Sequence, residues 1–205
     1  MNAPLQGTEE WALARCGRAT ASEFSSVLAK GQGKTRAAYM RRVLAERLTG
    51  KPTENVAHGS WAKNLERGHE QEPYAALAYE ALTGNMVEPC GFIPHESLMS
   101  GCSPDCLVGS DGGAEIKSVI PTVQVETILA GGYPSEHKPQ IQGCMWVTGR
   151  AWWDFCSYSP DLPDNLRLYV FRVERDDAYI KTLAAEVIVF LREVDALYKQ
   201  LMERK

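Results

Sequence analysis

Within Ala114-Glu-Ile-Lys-Ser118 a carboxylate and an ammonium group stand two residues apart. On a strand, alternation sends Glu115 and Lys117 to one face and Ile116 to the other, with the charged residues roughly 7 Å apart along the backbone. Upstream, Pro104-Asp105 lies on the incoming arm of a hairpin expected to turn at Ser110-Asp-Gly-Gly113, because Asp-Gly is a hairpin signal. Asp105 therefore approaches the pair, with its register left open. Glu72 joins from a helix expected between Ser60 and Gly84. Its apolar positions Trp61, Leu65, Ala75 or Ala76, Tyr79 and Leu82 define a stripe that runs through Gly68 and Glu72 and misses Glu66, Glu70 and Glu80. Pro73 either kinks this helix or opens a new one.

Three carboxylates share a buried site only if cations or protons neutralise them. Mg2+ does so with oxygen ligands, keeping several waters and using one or two carboxylates plus substrate phosphate oxygens. Asp105, Glu115 and the Ile116 carbonyl fit that role, with Glu72 beside them. Two ions would supply phosphodiester hydrolysis, one acidifying water and one stabilising the leaving oxygen, with Mn2+ able to substitute for Mg2+. Lys117 would orient the nucleophile or offset charge developing on phosphorus. The competing reading is a surface hairpin with an ordinary ion pair.

The surrounding pattern is that of an α/β domain, a central mixed β-sheet flanked by helices. Thr20 and Glu23 have capping-box spacing ahead of Phe24, Val27 and Leu28, and a second helix is expected over 35–49 with Tyr39, Val43, Leu44 and Leu48 on one side. Short β-like runs fill 86–118. Helices are expected over 122–130 and 135–147, strands over 151–158 and 166–173, and a last helix over 177–203 with Ile180, Leu183, Val187, Phe190, Val194, Leu197 and Leu201 inward. Trp152 and Trp153 should point to opposite faces, mainly for packing. The division expected is one domain over 1–205: a basic helical lobe at 1–59, a catalytic core at 60–175 and a C-terminal helix at 176–205.

The chain has 205 residues, 44% hydrophobic and 23% charged, which describes an ordinary globular domain and excludes disorder or a rod. No apolar run approaches the roughly 20 residues of a membrane span, and the opening lacks a signal-peptide pattern, so a cytoplasmic protein is expected. Six cysteines read as reduced, buried small hydrophobes; Cys102 and Cys106 have a zinc-like spacing without a second ligand pair. The net charge of -4 hides an asymmetry: residues 1–51 carry nine Lys or Arg against four acids, leaving the remainder at -9. That suits one part holding phosphates and another holding a divalent cation.

Ser103-Pro104-Asp105, the hairpin, and Glu115-Ile116-Lys117 together resemble the PD-(D/E)xK nuclease signature, with its restriction-endonuclease-like core. More narrowly, the chain is similar to the lambda-type (YqaJ-type) exonucleases of phage recombination systems. That likeness extends to Arg15-Cys-Gly-Arg-Ala-Thr20-Ala-Ser22, to Glu72-Pro-Tyr-Ala75 and to Pro139-Gln140-Ile-Gln142. It implies a Mg2+-dependent exonuclease that degrades one strand of linear double-stranded DNA from the 5' end to mononucleotides. It also implies a ring-shaped homotrimer working beside a single-strand annealing protein. By position, Asp105 and Glu115 would hold metal, Glu72 would assist a second ion, Lys117 would be catalytic, and Gln140 would place Lys117 or the water. Arg15, Ser22 and Ser103 would line a 5'-phosphate pocket, where Ser22 in the first turn of a helix would add free amide groups. Residues 118–130 carry no Lys or Arg, a departure from such relatives. A restriction-type endonuclease and a catalytically silent DNA-binding module are the alternatives.

Overall fold

The computed structural model describes residues 4–30, 33–53 and 60–204, with the side chains of 60–66 and 69 outside that description. Its elements run α1 (Glu9–Arg15), β1 (Ala19–Thr20), α2 (Phe24–Leu28), α3 (Lys34–Thr49), α4 (Ser60–Thr83), β2 (Val87–Pro89), β3 (Ile93–Pro94), β4 (Ser100–Cys102), β5 (Cys106–Val108) and β6 (Gly112–Ser118). They continue with α5 (Pro121–Ala130), α6 (Lys138–Thr148), β7 (Trp152–Tyr158), α7 (Asp164–Arg167), β8 (Leu168–Glu174) and α8 (Asp177–Met202).

The expected mixed sheet is present, with five strands in the order β2-β5-β6-β7-β8. Only β6 and β7 run parallel. In a second, three-stranded sheet, β1-β4-β3, the strands β3 and β4 fall within the β-like runs expected over 86–118, whereas β1 was not expected. At two residues β1 is too short for alternation to register.

Each face of the large sheet carries its own core. Trp153 and Phe155 point to the side covered by α2, α3, α6 and α8, among Phe24, Ile141, Met145 and Phe190. Ala114, Ile116, Cys156 and Tyr158 point to the other side, where α4 contributes Ala75 and Tyr79. The period of two thus separates the neighbouring tryptophans as expected: Trp153 is fully buried, while Trp152 lies under the Arg172 guanidinium 3.5 Å from its centroid. Gly112 and Gly113 are strand residues, not the turn the sequence suggested. A Cβ at Gly112 would come within 2.0 Å of the Trp152 ring, and one at Gly113 within 2.4 Å of Trp153. The turn itself is Gly109–Asp111, opened by Gly109 at φ +52°.

Several expectations need correction. Thr20 makes no side-chain cap; its hydroxyl accepts from Arg15, and Glu23 instead accepts from Ser26 and Arg42. Pro73 lies inside a continuous α4. The inward stripe of α4 ends at Tyr79, since Leu82 is 63% exposed, and Trp61 and Leu65 lie outside the described side chains. Leu48, Leu197 and Leu201 are also exposed, because α3 and α8 outrun the surface they pack on. All six cysteines are free, yet Cys16 and Cys90 are only partly buried. No helix among the described residues is long and apolar enough to cross a membrane.

Candidate active site

The site forms where β5 gives out. Cys106 pairs with Ala114, and β5 goes no further back, so the edge of β6 beyond Ala114 has no strand beside it. Asp105 fills that place with its side chain: Oδ2 accepts from the Ile116 amide at 2.7 Å. A backbone donor on a sheet edge is thereby satisfied by a carboxylate.

Glu115 and Lys117 share the face opposite Ile116, as strand alternation requires. Lys117 Nζ donates to Glu115 Oε1 at 2.5 Å, and the same oxygen accepts from Gln140 Nε2 at 2.5 Å. Gln140 comes from the first turn of α6; it holds Glu115, whereas the family likeness gave it Lys117 or water. Glu115 is fully buried, and its Oε2 has no hydrogen-bond partner among the described residues. Glu72 reaches the group from α4, on the other side of the sheet, without a hydrogen bond to it.

The electrostatics tie these side chains into one unit. Burial, opposed by Lys117 and reinforced by Glu72, pushes Asp105 up to about 6. Burial and the nearby Asp105 charge push Glu115 up to about 7. Glu72 is raised by burial and then by Glu115. Lys117 is raised, the Glu115 and Asp105 charges outweighing its burial. His137, beside Phe155, is lowered to about 4 by burial and then by Lys117. Three carboxylates thus influence one another and one ammonium group, with more negative charge than it neutralises.

That imbalance, an all-oxygen donor set and the orphaned Glu115 Oε2 fit a hard divalent cation. Among the described residues no three His, Cys, Asp or Glu side chains stand ready as a complete cage. The preformed part is the Asp105–Glu115 pair, which matches the one or two carboxylates Mg2+ ordinarily takes from protein.

A second cluster gathers Arg15, Ser22 and Ser103. Arg15 Nη1 donates to Ser103 Oγ at 2.8 Å, and Nη2 reaches Thr20 Oγ1 and Ser22 Oγ, each at 3.5 Å. Burial lowers the Arg15 pKa, and the guanidinium lies 4.3 Å from the centroid of the Trp11 ring. Ser22 sits in a three-residue 3-10 turn followed by the five-residue α2. The expected contribution of a helix N-terminus is therefore replaced by Arg15 itself. The rest of the basic lobe is partly neutralised: Arg36 pairs with Glu193, Arg42 with Glu23 and Arg47 with Asp195.

Two participants escaped sequence reasoning. Trp11 stands one turn before Arg15 on α1 and donates from Nε1 to Ser103 Oγ at 2.9 Å; the i, i+4 spacing was the available signal. Gln6 donates to the Pro104 carbonyl at 2.9 Å, next to Asp105, and no spacing announces it.

This geometry has relatives. The alkaline exonuclease LHK-Exo from Laribacter hongkongensis superposes with a TM-score of 0.87 at 40% identity, over 95% of this chain and 96% of that one. The same enzyme in complex with dAMP gives 0.87 at 39% identity, over 95% and 96%. A phage-related exonuclease from Haemophilus somnus 129PT shares the fold, at 0.68 and 15% identity over 90% and 96%. No curated protein matches. The model of the YqaJ-like viral recombinase domain matches residues 10–151, and the chain belongs to that family.

Proposed function

We propose that this nuclease is a Mg2+-dependent exonuclease that degrades linear double-stranded DNA from the 5' end to mononucleotides. Family membership and the 40%-identical alkaline exonuclease support hydrolysis of DNA from an end. The observation carrying the mechanism is the buried Glu115 carboxylate, with one oxygen fixed by Lys117 and Gln140, the other without a partner among the described residues, and the Asp105 charge acting on the group.

Asp105 and the free oxygen of Glu115 would hold the metal, with the Ile116 carbonyl and Glu72 contributing to the set. When bound, Mg2+ supplies Lewis-acid stabilisation of the phosphate and a lowered pKa for water. Lys117, kept protonated by its carboxylate neighbours, offsets charge developing on the phosphate oxygens. Gln140 fixes the Glu115 rotamer so that Oε2 stays turned from Lys117. Arg15, Ser22 and Ser103 receive a 5'-phosphate: a guanidinium and two hydroxyls already converge there, and no carboxylate among the described residues pairs with that guanidinium. A ring trimer and a single-strand annealing partner complete the reading, resting on the family resemblance.

End-labelled linear duplex and covalently closed circular DNA, each with and without Mg2+ and a 5'-phosphate, test this directly. Mononucleotides should appear from the linear duplex only, with Mg2+ and faster with the phosphate. Cleavage of closed circles would favour a restriction-type endonuclease, and binding without cleavage a silent DNA-binding module.

A further inference from the structure

Lys117 lines a second cavity, of 340 Å³, bounded by Arg67 and Ser118 and by the apolar side chains of Ile120, Val123 and Phe155. Arg67 enters it from α4, with Nη2 donating to the Ser118 carbonyl at 3.3 Å at the end of β6. Two polar atoms here are buried without a partner among the described residues, Arg67 Nε and Ser118 Oγ. Among the described residues no carboxylate forms an ion pair with Arg67. Glu136 is the one acid among the described residues that lines the cavity, and residues 118–130 bring no Lys or Arg to it.

Buried donors left unpaired cost free energy that a ligand rich in acceptors recovers. A guanidinium N–H and a hydroxyl beside an ammonium group suit an anionic oxygen cluster, and the apolar wall suits the sugar or base attached to it. We propose that Arg67 and Ser118 form a substrate-binding pair that grips a DNA phosphate neighbouring the scissile one. This rests on the nuclease reading above and deepens it. Arg15 lines a separate cavity with Trp11, Thr20 and Tyr39, which shares no lining residue with this one, so the two grips hold the strand at different places.

The test measures KM and kcat on 5'-phosphorylated linear duplex for wild type, Arg67→Ala, Arg67→Lys and Ser118→Ala. It also measures binding of a fluorescein-labelled duplex over a salt series with Ca2+ replacing Mg2+. Arg67→Ala should raise KM about tenfold, more than it lowers kcat, and reduce the salt slope of binding by about one. Arg67→Lys should keep most of the slope, and Ser118→Ala should raise KM less than Arg67→Ala. Should Arg67→Ala fail to fold, the other two variants decide. Unchanged KM and salt slope with a lowered Tm would reduce Arg67 to a structural clamp on β6 and overturn the proposal. A wild type that leaves linear duplex intact would overturn the nuclease reading instead.

Discussion

Lys117 and Gln140 donate to the same oxygen of Glu115, from a strand and a helix 23 residues apart in the chain. The consequence is an asymmetry: Glu115 Oε1 is occupied, while Oε2 has no partner among the described residues. Lys117→Ala should therefore lower kcat on linear duplex by about 10²-fold or more, while duplex binding stays within a few-fold. Single-turnover hydrolysis and fluorescence anisotropy separate the two effects. Digestion at the wild-type rate would remove Lys117 from the chemistry.

Glu72 and Glu70 lie on the same helix but differ in exposure and in neighbours. Glu72 is half-buried and interacts with Glu115 and Lys117, whereas Glu70 is exposed. Glu72→Gln should reduce Mg2+-dependent activity by about tenfold or more, against less than twofold for Glu70→Gln. Equal losses would show that the inward phase of Glu72 has no functional meaning.

That phase was legible because helical and strand periodicities map directly onto direction. The same applies to Glu115 and Lys117, and to the split of Trp152 from Trp153. Local signals were less informative where tertiary partners intervened. Thr20 has an ideal capping sequence, yet its hydroxyl turns to Arg15. Gln140 could be placed near the site but not assigned its acceptor, which depends on how α6 meets β6. Gly112 and Gly113 look like turn residues, although their need is for space against two indole rings. Gln6 reaches Asp105 through tertiary proximity, which no motif encodes.

Arg15→Ala should weaken the preference for 5'-phosphorylated over 5'-hydroxyl ends by about tenfold, because a charge-assisted contact is lost. Trp11→Phe keeps the ring under the guanidinium but removes the bond to Ser103, and should give a smaller loss. Competition between labelled duplexes differing only at the 5' end reads both. An unchanged preference in Arg15→Ala would place the phosphate elsewhere.

Metal affinity should rise with pH. Asp105, pushed up to about 6, and Glu115, pushed up to about 7, retain protons in the metal-free protein that a cation must displace. Raising the pH through that interval removes the competition, so Mg2+ should bind about tenfold or more tightly at pH 8.5 than at pH 5.5. Isothermal titration in two buffers of different ionisation enthalpy should show proton release near pH 6.5 and little at pH 8.5. Affinity that is flat across this range would mean the carboxylates titrate normally.

Asp154 anchors α4 to the sheet on the face that α4 covers. Buried, it accepts from Tyr79 Oη at 2.6 Å and from Arg172 Nε at 2.5 Å. Asp154→Ala leaves the buried Tyr79 hydroxyl without its acceptor and should cost about 2–3 kcal/mol in urea unfolding. A change below 0.5 kcal/mol, on the order of a surface substitution, would contradict that role.

The central claim is that the acidic groups at the end of β5 and β6 are assembled for a divalent cation. Crystals soaked in Mn2+, with data collected at the manganese absorption edge, test it most directly. An anomalous peak is expected beside Asp105 and the free oxygen of Glu115, absent in Asp105→Asn. No peak there at millimolar Mn2+, with Lys117 and Gln140 still closed on Glu115, would contradict it.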